Sequence, residues 1–147
     1  MLEAILTRRS VRNFSSGEVG NETVEELLKA AMSAPSAGNE QPWEFIVIRD
    51  RQILDSIADV HPYAQMLRQC PVAILICGDL NRQKYEGFWI QDCAAATENV
   101  LIAVNAMALG AVWLGVYPIE ERVIAIRELI AAPDHIVPFS VIAIGHP

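Results

Sequence analysis

Three short segments of this 147-residue chain gather the residue types that bind small ligands. The first is Arg8-Arg9-Ser10-Val11-Arg12, three cations and a hydroxyl in five positions of a chain with formal net charge -7. A phosphate dianion needs charge-assisted donors, and guanidinium forks beside a serine hydroxyl supply them. The competing reading is a solvated helix C-terminus, where arginine is favourable in any case. The second segment is Ala34-Pro35-Ser36-Ala37-Gly38-Asn39-Glu40-Gln41-Pro42-Trp43, a loop by composition. Its small residues let a ligand come close to backbone, and the amides of Asn39 and Gln41 can hydrogen-bond a heteroaromatic edge. Its plain alternative is a helix-to-strand connection with Trp43 packed in the core. The third is Trp113-Leu114-Gly115, closing an apolar run; a glycine in a strand marks a close approach by ligand or backbone.

Other chemistries are poorly supported. The acidic balance argues against nucleic acid or an anionic membrane as the main partner. Arginine outnumbers lysine nine to two, which favours planar recognition of phosphate and carboxylate. Cys70, Cys77 and Cys93 are odd in number and form no CxxC pair, so a reducing compartment, the cytoplasm, is expected. Cys77, inside the run Val72 to Cys77, reads as a small buried hydrophobe. His61, His135 and His146 lack metal-ligand spacing, and Asp134-His135 reads as a solvated loop pair. No GxGxxG follows a strand, and no phosphate loop or Ser-His-Asp set is visible. The start, MLEAILTRRS, is too short and charged for a secretory signal. Val100 to Tyr117 is apolar apart from Asn105 and long enough to span a bilayer, but Gly110 and Gly115 divide it. It reads instead as a buried helix end, a glycine stop and a buried strand.

The elements that would position these segments follow from periodicity. Leu2, Ile5 and Leu6 predict a short helix running into Arg8. Asn21 is the expected N-cap of a helix whose stripe is Val24, Leu27, Leu28 and Ala31, ending near Pro35. Strands are expected at Glu44–Ile48, Val72–Cys77, Ala111–Val116 and Ile136–Ile144. Helices are expected after Asp50, over Trp89–Leu109, and over Ile119–Leu129, which Glu120 and Glu121 open favourably for the dipole. The alanine-rich helix from Trp89 is apolar nearly all round and should be central to the core. Strands and helices mix without strict βαβ alternation, so an α+β sandwich is expected, in a single domain spanning residues 1–147.

RRSVRNF, APSAGNEQPWEF and QDCAAATENVLIAVNAMALGAVWLG, in this order and spacing, resemble the nitroreductase family over nearly the whole chain. The resemblance implies an α/β/α sandwich around a mixed, mainly antiparallel sheet, a homodimer, and FMN at the two-fold interface. It implies that Arg8, Arg9 and Ser10 hold the phosphate and ribityl chain, and that Arg12 approaches the N1/O2 side of the ring. Pro35, Ser36, Ala37 and Asn39 would come from the other subunit, with Gln41 in the same loop. The backbone at Trp113, Leu114 and Gly115 would face the ring near N5. NADH or NADPH would be the electron donor and a nitroaromatic, a quinone or a similar small molecule the acceptor. Electrons would pass through one shared slot by a ping-pong mechanism, with no dedicated acid–base residue. A flavin-binding or storage module, a flavin-fragmenting or dehalogenating enzyme, and a dimer without cofactor remain open on the same resemblance. Two departures stand out: Gln65 replaces a common lysine, and the sequence stops at Gly145-His146-Pro147, before a usual basic residue. The expectation is that this chain holds FMN more loosely than a longer relative.

Overall fold

The computed structural model describes residues 2–147. Its helices are α1 (Leu2–Thr7), α2 (Asn21–Met32), α3 (Arg51–Val60), α4 (Trp89–Ala106) and α5 (Glu120–Leu129). Its strands are β1 (Trp43–Ile48), β2 (Val72–Asp79), β3 (Gly110–Gly115) and β4 (Ile136–Gly145), in the order β1-β2-β4-β3. All three strand pairings are antiparallel, so the expected mixed character shrinks to one isolated parallel bridge, Ser10 to Ala111.

The two central strands, β2 and β4, are buried along their whole lengths. Successive side chains point to opposite faces, so complete burial needs a layer on each side. Helix α4 lies across the sheet with α1 and α2 outside it, while α3 and α5 pack together and α5 rests on β4. α4 buries Trp89, Cys93, Ala96, Val100, Leu101 and Val104. The apolar circumference of this helix is thus largely core.

Most predicted elements appear within a few residues, and the deviations have local causes. Asp50 caps α3 by accepting a hydrogen bond from the Ile53 N–H at 3.1 Å. Asn21 is not a cap: Gly20 occupies that position, and Asn21 Oδ1 instead accepts from the Arg49 guanidinium at 3.1 Å. α2 stops at Met32, where Ser33 caps the last turn, ahead of Pro35. The expected glycine stop after α4 is also corrected. The helix ends at Ala106, Ala108 takes the left-handed conformation (φ 58°), and Gly110 instead opens β3. Pro138 sits in a central strand beside a register shift between Ile76 and Cys77, the kind of bulge at which a strand tolerates proline. The residue passed over by that shift, Phe139, turns its carbonyl to the N–H groups of Val116 and Tyr117, each at 3.1 Å.

Candidate functional site

The arginine segment follows α1 directly. The Val11 N–H donates to the Ala111 carbonyl at 2.8 Å, which ties the segment to the start of β3. Arg8 is half-buried, with Nε 3.6 Å from Glu98 on α4. Arg9 is exposed and donates to the carbonyls of Leu6 and Arg8 at 3.1 and 2.9 Å, with no acidic partner among the described residues. Ser10 and Arg12 are exposed, and Arg12 enters none of the hydrogen bonds or ion pairs among the described residues. Arg8, Arg9, Val11, Leu101, Asn105 and Ala111 line a groove of about 400 Å³ between the end of α1, α4 and β3. Cationic heads over an apolar floor suit an anionic group carried on an organic body.

The loop between α2 and β1 is organised from beneath. Ser36 and Ala37 are half-buried, while Pro35, Asn39 and Gln41 are exposed. Gly38, Asn39 and Gln41 all take left-handed backbone (φ 56°, 52° and 48°). A β-carbon on Gly38 would stand 2.3 Å from the Tyr85 ring, so glycine here spares both a displaced ring and left-handed strain. Left-handed backbone at two non-glycine residues persists only where the surroundings fix it. Those surroundings are hydrogen bonds. Ser36 Oγ accepts from the Gln41 N–H at 3.0 Å, and Asp92 Oδ1, at the start of α4, accepts from the Ala37 N–H at 3.1 Å. Glu40 Oε2 accepts from the N–H groups of Lys84 and Tyr85 at 2.5 and 3.1 Å.

Asp92 and Glu40 are both buried, and each keeps one oxygen without a donor, Asp92 Oδ2 and Glu40 Oε1. Burial, the largest influence, pushes the Asp92 carboxyl above its ordinary range; the Ala37 N–H opposes this and the Glu40 carboxylate reinforces it. Asp92 thus ties the loop to the head of α4, and Glu40 ties it to the segment at Lys84 and Tyr85.

At the far end of β3, Leu114 is buried and Trp113 is half-buried with its ring 6.0 Å from that of Phe139. Gly115 is exposed, and a β-carbon built on it would meet no atom within 4 Å. Nothing in the chain itself therefore demands glycine here, and the open side of the backbone is free for a flat ligand. The Gly115 carbonyl accepts from His61 Nε2 at 2.7 Å and from the Arg122 guanidinium at 3.0 Å.

Within one chain the arginine segment is not brought to the other two. Ser10 and Val11 meet β3 at Ala111, and Gly115 lies four residues further along, about 13 Å at strand rise. The 35–41 loop sits near the Gly115 end, because Trp89 at the head of α4 packs 4.8 Å from Tyr117. No hydrogen bond or ion pair among the described residues joins residues 8–12 to residues 35–41.

Sequence reasoning overlooked four residues that build this geometry: His61, Arg122, Asp92 and Glu40. For Asp92 a signal existed, a carboxylate on the buried face of an otherwise apolar helix; for His61 there was none. The cysteines are free and buried as expected, and burial lifts Cys77 to about 12, which silences its thiol. No helix among the described residues is long and apolar enough to cross a membrane.

The comparisons with known proteins agree with this architecture. A Methanothermobacter thermautotrophicus protein provisionally named NADH dehydrogenase/NAD(P)H nitroreductase is 51% identical over 147 residues, all of this chain and 77% of its own length. A crystal structure of a similarly named Parabacteroides distasonis protein superposes with TM-score 0.96 at 43% identity, covering 99% of this chain and 86% of the other. A Desulfovibrio desulfuricans structure, provisionally termed a nitroreductase and determined in complex with FMN, gives TM-score 0.89 at 36% identity, covering 99% and 85%. The model described as "Nitroreductase family" matches residues 5–61 and 58–146, together nearly every described element. By sequence and by fold alike, the chain belongs to the nitroreductase family.

Proposed function

We propose that this protein is an FMN-dependent oxidoreductase that moves two electrons from NADH or NADPH to a nitroaromatic, a quinone or a similar small acceptor. It works as a homodimer with two sites across the interface. The observation that carries this reading is the separation of the donor sets. The arginine arm and the 35–41 loop each present unused polar groups, yet lie apart in one chain, as halves completed by a second copy would. The exposed apolar face of α1, with Leu2, Ile5 and Leu6, offers surface for that copy to cover, since α1 buries none of its own residues. Obligate interfaces commonly bury about 2,000–5,000 Å² and are apolar.

The residues present fit FMN. Arg8, Arg9 and Ser10 would take the phosphate with charge-assisted bonds. Arg12, a cation with no partner among the described residues, would stand against the negative charge that reduction develops on the N1/O2 side of the ring. Gly115 lets a planar ring lie against bare backbone, flanked by Trp113 and Leu114. Pro35, Ser36, Ala37, Asn39 and Gln41 of the second copy would edge the same space. FMN, when bound, supplies the hydride chemistry; the chain supplies binding, orientation and electrostatics. Donor and acceptor would occupy one slot in turn, giving ping-pong kinetics.

The test is anaerobic rapid mixing of the FMN-loaded protein with NADH and with NADPH. The reading expects the flavin absorbance to bleach with at least one donor and to return when a quinone or nitroaromatic is added. A bound flavin that neither donor reduces would leave a binding or storage module instead.

A further inference from the structure

We propose that His61 and Arg122 are positioning residues that clamp the Gly115 carbonyl and so set the backbone surface on which the ring of the flavin rests. The proposal builds on the FMN reading above. Its basis is geometric. β3 ends at Gly115, and beyond it the chain leaves the ladder; a strand end of this kind frays unless held. Here it is held from two directions. The Gly115 carbonyl takes His61 Nε2 at 2.7 Å, from the C-cap of α3, and Arg122 at 3.0 Å, from the first turn of α5. The next two N–H groups, of Val116 and Tyr117, both go to the Phe139 carbonyl at the bulge in β4. Both sides of the Gly115–Val116 peptide are thus fixed, while the Cα side of Gly115 stays open.

The histidine is set in one form. The Tyr63 N–H points at His61 Nδ1 at 3.2 Å, so Nδ1 must be the acceptor and Nε2 carries the proton given to Gly115. The ring is buried, and the charged group acting on it is Arg122, which also lies 5.6 Å over the Tyr63 ring. Protonating Nδ1 would oppose one N–H to another and place a second cation beside Arg122. Burial first, and Arg122 after it, hold the imidazole below its usual range, in keeping with a neutral donor, while the Gly115 hydrogen bond pulls the other way. Tyr63 is the remaining titratable neighbour, with its ring centroid 6.4 Å from the imidazole.

The experiment follows wild type, His61→Ala, His61→Gln and Arg122→Ala, full-length, at neutral pH. FMN affinity, the flavin midpoint potential and amide exchange at Val116 and Tyr117 are measured for each. The clamp predicts that His61→Ala and Arg122→Ala each weaken FMN on the order of tenfold, shift the potential, and speed exchange at Val116 and Tyr117. His61→Gln, whose amide still donates, restores all three. Wild type loses FMN affinity only as pH falls through the depressed pKa of His61, below the ordinary histidine range, and His61→Gln removes that acid limb. A folded His61→Ala protein with wild-type affinity, potential and exchange overturns the proposal. If His61→Ala does not fold, an acid limb that survives in His61→Gln overturns it. Wild type that binds no FMN defeats the functional reading alone, and the exchange rates then still decide whether the clamp exists.

Discussion

The arm from Arg8 to Arg12 and the loop from Ser36 to Gln41 carry similar polar equipment and hold it in opposite ways. In the loop, backbone shape is the product. Three left-handed residues are fixed by Ser36, by Asp92 beneath Ala37 and by Glu40 beneath Lys84 and Tyr85. In the arm, available charge is the product. Among the described residues, Arg9 and Arg12 face solvent without acidic partners, and Arg8 meets a half-exposed Glu98, the kind of pair worth about 0–1 kcal/mol. A ligand phosphate could take Arg8 from Glu98 at little cost. The difference teaches where substitutions should be felt: under the loop in stability, along the arm in binding.

The largest effect is expected beneath the loop. Asp92→Ala strands the Ala37 N–H, for an expected loss of about 1–3 kcal/mol in urea unfolding. Asp92→Asn, which keeps an acceptor for that N–H, should cost far less. The folded-state pKa of Asp92 lies above its ordinary 3.8, so its contribution is full below that value and lost as pH rises through the raised one. Asp92→Asn should flatten that slope. If Asp92→Ala unfolds at the wild-type denaturant concentration, the loop is not held from beneath and the contrast with the arm dissolves.

The arm should behave the other way round. Arg9→Ala is expected to weaken FMN by about ten- to a hundredfold while changing stability by no more than about 0.5 kcal/mol. Arg12→Ala should mainly lower the flavin midpoint potential and slow hydride transfer. An unchanged potential in Arg12→Ala, measured by dye equilibration, would assign that cation no electrostatic role at the ring.

Gly115→Ala sharpens the comparison with the smallest structural change. Its added methyl group meets nothing in the chain, so the melting temperature should stay within experimental error. The same methyl would stand where the ring is to lie, and FMN affinity should fall on the order of tenfold from lost contact. A variant that binds FMN as wild type does would move the ring elsewhere.

The elements were legible in the sequence because each had a strong local cause. The unbroken apolar run from Val72 to Cys77 reads as a strand, and the spacing of Ile53, Leu54 and Ile57 reads as a helix after Asp50. Most of what escaped was set by contacts that local residue type does not announce. Asn21 has every local qualification for a cap, yet Arg49 on the neighbouring segment takes its side chain. Ala108 makes the turn that glycine would be expected to make, held by its own N–H and that of Leu109, which donate to the Asn105 and Val104 carbonyls at 3.1 and 3.0 Å. The site divides in the same way. The arm and the glycine were visible as residue types, whereas His61, 54 positions before Gly115, acquires its meaning only when the fold brings the two together.

The most direct test of the account is a titration of the purified, flavin-free chain with FMN and, separately, with riboflavin, followed by flavin fluorescence at several chain concentrations. The account predicts one FMN per chain, binding at least about tenfold tighter than riboflavin because the phosphate meets Arg8, Arg9 and Ser10, and weakening as dilution parts the dimer. Equal affinity for the two flavins, or tight FMN binding by a monomer, would contradict it.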